Sequence, residues 1–414
     1  MDDRTSIGEN IKRFRGKLFS QRALADRAGV SVEIVRKLEQ GARHTASIPT
    51  LQAIARVLDV TVAELLGDRP GGMPSVAPEG GAVAIGRALR GGLVDDLLGE
   101  EDPQGTPQAL TEAEHAIDYL WAAYWRGDYT TLLKLIPAAL IRARATYRNA
   151  SESDRPRAAH ALARTYQIAG DSLVQLGHLD GAWLGAREAI GSAADSDDEL
   201  LDAALRVSVA WQLMVQGQFD EAERIAVSAA QHIEPHGEVS DSHLAAYGVL
   251  IDRAATAAAR AQRPSTAVDL LAESTAIAGR LGYERSDHQT HYGPAKTVTT
   301  AVDVALVAED YSGALKAARE LPRDAALPTA TRARFLADVA LAQMRLGRSE
   351  AAFQALLAAE SLSPDWMRFQ QFPRQVAREL VTRENRLRTP LRDFAQRVGV
   401  GGDQEAYVPN SNGW

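Results

Sequence analysis

Val32, Glu33, Arg36 and Lys37 share one face of a short amphipathic stretch whose other face carries Val35 and Leu38. That set holds what reading a DNA major groove requires. Arginine or lysine donates to guanine or to phosphate, a carboxylate accepts from a cytosine amino group, and a valine methyl meets a thymine methyl. Gln21, Arg22, Ser31 and Arg43 flank the set and complete the candidate DNA-binding residues. A second set interrupts otherwise apolar helical stripes further along the chain: Tyr166, Arg206, Tyr247 and Arg253, joined by His291 and Lys296. Its cations suit an anionic or carbonyl-bearing small molecule, with the aromatics supplying stacking area. Neither set is catalytic. There is no HExxH, no GxxxxGK[ST] phosphate loop and no glycine-rich nucleotide fingerprint after a strand. The absence of cysteine excludes disulfides, thiolate metal sites and thiol nucleophiles. His232 with His236, and His288 with His291, have the spacing of helical metal ligands. Pro235 breaks the helix of the first pair and neither pair has an acidic complement, so no metal and no cofactor is expected.

The first set needs two short helices meeting at a fixed turn, and Ser20 to Gly41 supplies them. Ser20 is an N-cap, Leu24 points inward, Ala25 and Ala28 let a second helix approach closely, and Gly29 ends the helix. Val30 then turns inward, Ser31 caps the next helix, Val35 and Leu38 form its buried stripe, and Gly41 stops it. On Ser20-Gln21, Ala25-Asp26, Ala28-Gly29-Val30-Ser31, Val35, Leu38-Glu39 and Gly41 the chain resembles the phage-repressor, or xenobiotic-response-element, class of helix-turn-helix proteins. The resemblance implies double-stranded DNA as partner, a phosphate clamp at Gln21 and base-edge positions at Val32 and Glu33. Ile7, Ile11, Phe14 and Leu18 supply a first helix and Leu51, Ile54, Ala55 and Leu58 a fourth, while Val62, Leu65 and Leu66 close a five-helix bundle. Arg43-His44-Thr45-Ala46-Ser47 lengthens the loop after the recognition helix relative to the common pattern of the class.

Charge separates this module from the rest. Residues 1–67 carry 11 Lys+Arg against 8 Asp+Glu, a net of +3 on a chain of net −8, which leaves −11 for the remainder. A basic module on an acidic body contacts nucleic acid by one end. Hydrophobic residues at 45% and charged residues at 24% fit a globular protein, and 414 residues suggest about two or three domains. The N-terminus is polar, and no apolar run approaches the ~20 residues that cross a bilayer, so a cytoplasmic protein without membrane contact is expected.

Residues 68–81 are rich in proline and glycine and read as linker, within a connecting region over 68–110 that can hold one short helix over 83–98. Beyond residue 110 the chain is helical and repeats itself. Segments of the form Gly217-Gln-Phe-Asp-Glu-Ala222 recur so that Ala182, Ala222, Ala267, Ala314 and Ala352 align, separated by 40, 45, 47 and 38 residues. A sixth segment, Gly127 to Leu132, fits less well. The pattern resembles tetratricopeptide repeats, in which stacked helix pairs bury what one pair cannot. The fold expected is all-α, a five-helix helix-turn-helix bundle over 1–67 followed by a tetratricopeptide-like α-solenoid over 111–400 and a mobile tail over 401–414. The layout resembles actinomycete regulators of the phage-repressor class, and Tyr292-Gly293-Pro294-Ala295-Lys296 resembles a Phe-Gly-Pro-Thr-Asn element of that group, with Lys296 in place of the asparagine. It also resembles Gram-positive peptide-pheromone sensors, which clamp peptide backbones with helix asparagines that are scarce here. Together these imply a non-enzymatic transcriptional regulator, a homodimer on an inverted repeat, whose repeats dimerise and bind a small-molecule or peptide effector. The alternatives are a peptide-pheromone sensor and a repeat-based adaptor.

Overall fold

The computed structural model describes residues 7–16, 20–41, 46, 48–58, 65, 79–98, 105–383 and 389–400. Among them every regular element is helical apart from one isolated bridge, and two compact units part between Ser75 and Val76.

The first unit holds α1 (Ile7–Arg15), α2 (Gln21–Ala28), α3 (Val32–Glu39) and α4 (Ile48–Leu58). The capping residues act as their types predict: Ser20 Oγ accepts from the Ala23 amide at 3.1 Å and Ser31 Oγ from the Ile34 amide at 3.3 Å. Gly29 takes the left-handed conformation that ends α2, with φ of 65°. Ile7, Ile11, Leu24, Ala25, Val35, Leu38, Leu51, Ile54, Ala55 and Leu65 form one core. At Gly8 a Cβ would lie 1.9 Å from the Leu38 carbonyl oxygen, so α1 and α3 cross at a distance that only glycine permits. Leu65 is buried and its carbonyl accepts from Asn10 Nδ2 at 3.2 Å. The rest of the expected fifth helix lies outside the described residues, as do Leu18 and Arg43 to Thr45.

In the second unit α5 (Glu79–Leu98) begins four residues before the helix expected over 83–98. Ile85 and Leu89 bury its face, whereas Leu97, expected on the same stripe, is exposed. It packs on the repeats that follow, and Arg144 Nη1 donates to the Ala88 carbonyl at 2.9 Å. Six helix pairs come next: α6 (Leu110–Arg126) with α7 (Tyr129–Arg148), α8 (Arg155–Gln175) with α9 (Leu179–Ala193), α10 (Glu199–Val215) with α11 (Phe219–His232), α12 (Asp241–Arg260) with α13 (Pro264–Leu281), α14 (Pro294–Val307) with α15 (Tyr311–Ala318), and α16 (Thr329–Arg345) with α17 (Ser349–Leu362). The short α18 (Pro364–Phe369), then α19 (Gln371–Arg383) and α20 (Thr389–Arg397), finish the unit.

The six corners read from the sequence share one geometry. Gly127, Gly177, Gly217, Gln262, Glu309 and Gly347 all have positive φ, between 59° and 80°. In each, the next amide reaches back to a carbonyl at 2.9 Å, on Ala123, Leu173, Leu213, Ala258, Ala305 and Gln343 in turn. This is the helix ending that glycine favours, because an L side chain in that conformation costs about 1–2 kcal/mol. Gln262 and Glu309 carry that cost, part of which glycine returns through the entropy of the unfolded chain. Gln262→Gly and Glu309→Gly are each expected to stabilise the unit by roughly 0.5–1 kcal/mol, read as a higher urea midpoint at unchanged m-value. The aligned Ala182, Ala222, Ala267, Ala314 and Ala352 are fully buried where the paired helices meet, and Leu132 takes that place in the first pair.

The first helices of the pairs, α6, α8, α10, α12, α14 and α16, each contact the next, and α16 returns to contact α6. The solenoid therefore closes on itself rather than leaving the open groove that repeat stacking alone predicts. Burial accounts for this, since the apolar faces of the first and last pairs need cover and each covers the other. Ile117, Leu120 and Trp121 share one core with Ala333, Ala337, Met344, Trp366 and Met367. Ser363 Oγ donates to the Arg126 carbonyl at 2.8 Å, and Gln370 Nε2 to Tyr129 Oη at 3.0 Å. No helix among the described residues is long and apolar enough to cross a membrane.

Candidate nucleic-acid interface and the interior of the repeat body

With Val35 and Leu38 buried, α3 leaves Ser31, Val32, Glu33, Arg36 and Lys37 exposed together. Glu33 lies between the two cations, with Arg36 Nη2 at 2.5 Å and Lys37 Nζ at 3.4 Å from its carboxylate. Hydrogen bonds from Arg36 and then Lys37 hold its pKa below the usual carboxylate value. Water screens exposed pairs of this kind, so either cation can leave Glu33 for a stronger partner. Arg22 is exposed as well, on the first turn of α2.

Gln21 is less free. Its Nε2 donates to Glu39 Oε2 at 2.7 Å, and the same carboxylate takes Arg15 through Nε at 2.7 Å and Nη2 at 3.0 Å. Arg15 and Glu39 thus join the end of α1 to the end of α3 and orient Gln21 at the start of α2. The sequence reading missed this role because the two residues lie 24 apart and nothing in their spacing pairs them. Glu39 is almost fully buried, so Glu39→Ala removes the carboxylate that Arg15 and Gln21 share. Its expected cost is about 2–3 kcal/mol, seen as faster hydrogen exchange at the amides of α1 to α3.

The second candidate set does not assemble. Tyr166 is buried in the main core, and Arg206 is exposed and paired with Asp202 on its own helix at 2.6 Å. Tyr247 donates to Glu273 Oε1 at 2.5 Å, from α12 to α13. His291 is buried with Nε2 3.0 Å from Glu284 Oε2, an ion-pair distance whose alignment makes no hydrogen bond. Lys296 Nζ donates to Asp252 Oδ2 at 2.8 Å and to Thr300 Oγ1 at 2.7 Å. Arg253 and Lys296 share the field of Asp252, which pairs with Lys296. Of the cations meant for an anionic ligand, Arg206 is matched by Asp202 on its own helix and Lys296 by Asp252 on a neighbouring one.

What lines the ring instead is a buried polar chain. Gln167 Nε2 donates to Ser208 Oγ at 3.0 Å, and Ser208 donates to Asp171 Oδ2 at 2.9 Å. Burial pushes the Asp171 carboxyl up to about 7 against the opposing pull of Ser208 and Arg253. Burial likewise lowers the Arg253 guanidinium, with Asp252, Tyr124, Asp171 and Asp303 acting the other way. Asp303 takes Arg260 at 2.9 and 3.0 Å. Gln167 Oε1, Asp171 Oδ1, Gln212 Oε1 and Arg253 Nε have no hydrogen-bond partner. The sequence carried a signal for these residues: Gln167 with Asp171, and Ser208 with Gln212, are polar pairs four apart within the buried stretches of α8 and α10.

The histidine pairs singled out by spacing also separate. His232 lies 3.6 Å from Glu199, both exposed, and His288 turns away from His291 to meet Asp198. His160 reaches the same carboxylate from α8, and these three residues are a group able to hold a metal ion.

Residues 11–65 match the helix-turn-helix family, the segment that contains α2 and α3. No curated protein matches the chain. Among solved structures the chain is similar to BtubC (BKLC) from P. vanneervenii at 15% identity, covering 61% of this chain and 89% of that one, with a TM-score of 0.37. PilF from Pseudomonas aeruginosa is 15% identical over 63% of this chain and 98% of its own, with a TM-score of 0.33. PlcR from Bacillus thuringiensis, in complex with the peptide PapR7 and DNA, is 13% identical over 67% and 95%, with a TM-score of 0.29. At such low TM-scores none of the three bears on function.

Proposed function

We propose that the chain is a sequence-specific DNA-binding transcriptional regulator that acts as a homodimer on an inverted repeat. The observation that carries the reading is the exposed face of α3, where Val32, Glu33, Arg36 and Lys37 stand together on a helix fixed by the Ser31 cap and by buried Val35 and Leu38. A bundle of this size spans only a few base pairs, and two-fold dimers of such readers match half-sites about one helical turn apart. The repeat body is the natural dimer surface. Genome-wide mapping of bound DNA, followed by footprinting and mass measurement of the complex, tests the reading. Two protected half-sites and a mass of two chains are expected. A monomer that occupies one half-site with full affinity removes the dimer, and failure to retain any duplex at low salt leaves a repeat-based adaptor.

The unpartnered atoms of the ring favour an effector within the repeat body. Among the buried unpartnered atoms of the first helices are acceptors, Gln167 Oε1, Asp171 Oδ1 and Gln212 Oε1, and donors, Trp121 Nε1, Trp125 Nε1, Arg164 Nε and Arg253 Nε, so the effector presents both donors and acceptors, as an amide or a short peptide does. To regulate, it must bind two states of the protein differently, typically by about 1–3 kcal/mol. Thermal-shift screening with amines, amides and short peptides, then operator-release assays with each hit, tests this part. Hits confined to carboxylates and phosphates would count against it.

A further inference from the structure

We propose that His160, Asp198 and His288 form a binding site for a divalent first-row transition ion, zinc before the others. Three separate segments bring these side chains together. His160 comes from the first half of α8, Asp198 is the N-cap of α10, and His288 stands at the tip of the loop over 283–292, whose ends are tied by the Arg285–Tyr292 bridge. Asp198 Oδ1 is used by the cap, accepting from the Leu201 amide at 3.1 Å, which leaves Oδ2 for the histidines. Both present Nε2 to that oxygen, His288 at 2.9 Å and His160 at 3.5 Å, and the three ligand atoms all lie within 4.8 Å of one another. A tetrahedral ion with ligands at 2.0–2.2 Å holds them about 3.3 Å apart. The spacing already present is therefore near that of a bound ion. Two imidazoles with one carboxylate are a zinc donor set that leaves a fourth position for water or a further ligand.

The backbone supplies an independent observation. His288 and Gln289 both sit in the left-handed region, with φ of 49° and 59°. Two consecutive non-glycine residues there are unfavourable, and such strain persists only where the surroundings over-determine it. Here they do: Arg285 pairs with Asp287 at 2.6 and 2.8 Å and donates to Ser242 Oγ at 3.1 Å, while Thr290 Oγ1 donates to the Asp287 carbonyl at 2.8 Å. The loop is braced to hold the imidazole against α8 and α10. Electrostatics permit an ion. Asp198 brings a negative charge, Glu114 adds its field at His160, and Arg164, which opposes it, is paired with Asp118 at 3.4 Å. An ion here would pin the loop, and with it the Tyr292 to Lys296 segment, to two inner helices of the ring.

The test uses the full chain without a histidine tag, stripped by chelator and titrated calorimetrically with zinc, with cobalt(II) giving the visible spectrum of a tetrahedral site. His160→Gln and His288→Asn are the variants, the second because asparagine tolerates the left-handed backbone. Asp198→Asn retains the helix cap. One equivalent is expected to bind, with affinity about tenfold or more weaker in each variant and with the zinc-dependent rise in melting temperature lost, while circular dichroism shows the fold retained. Absence of uptake by zinc, cobalt and nickel overturns the site. So does uptake that survives unchanged in both histidine variants.

Discussion

Replacing Arg36 and Lys37 together by alanine is expected to weaken binding to the mapped operator on the order of 100-fold or more, with no loss of folded protein. The estimate follows from the size of each contact. A bidentate arginine on guanine is worth ~1–3 kcal/mol, and each phosphate contact carries its own counterion term. The competing contact is small, because in the free protein both cations rest on Glu33 in exposed pairs. Folding is insulated from the change, since α3 is held by Val35 and Leu38 and neither cation touches the core. The single variants separate the roles. A lysine or arginine on phosphate weakens all sequences alike and lowers the salt slope by about one, whereas one on a base relaxes preference at a single position. Glu33→Gln removes a charge that repels phosphate, so non-specific affinity rises while any preference for cytosine opposite Glu33 falls. If Arg36→Ala, Lys37→Ala and Glu33→Gln all leave affinity, salt slope and sequence preference as they were, α3 is not the reading helix.

The reader and the corners were legible in the sequence because both are local. A cap, a turn and a stripe such as Ser31, Gly29 and Val35 with Leu38 depend on neighbours within a few residues, and so does the left-handed position that recurs from Gly127 to Gly347. The same locality made Gln262 and Glu309 recognisable as corners although neither is glycine. What could not be read depends on closure. Whether α6 meets α16 is decided by the accumulated turn of six pairs, and no residue states it. Once the pairs stack, Arg253 and Lys296 change meaning: Lys296, a polar interruption that suggested a ligand face, becomes the partner of Asp252 on α12, and Arg253 lies in the field of Asp252, Asp171 and Asp303. Arg15 with Glu39, and His160 with Asp198 and His288, were hidden because each pairing joins residues far apart in sequence. Side-chain type was visible in every case and the partner was not.

That closure places a carboxyl where water cannot charge it, and the expected consequence is a stability that falls as pH rises. Asp171 is buried with only the Ser208 hydroxyl donating to it at 2.9 Å, and its pKa stands at about 7 in the folded chain. The unfolded value is near 3.9. Between those two values the folded state binds more protons than the unfolded one, so unfolding free energy decreases with pH across that window. The stabilisation is complete below about pH 4, is lost progressively as pH rises through about 7, and changes no further above it. Three units at ~1.36 kcal/mol each set an upper bound of about 4 kcal/mol, and the nearby Arg253 with local relaxation reduces this to roughly 2 kcal/mol. Asp171→Asn keeps the shape of the neutral acid and cannot ionise. Its urea midpoint is expected to match that of the unchanged chain near pH 4 and to exceed it at pH 8 by the equivalent of about 2 kcal/mol. Taking the difference between the two proteins at each pH cancels every other titrating group. Parallel pH profiles would mean that Asp171 is ionised in the fold, with Arg253 rather than a proton as its counter-charge.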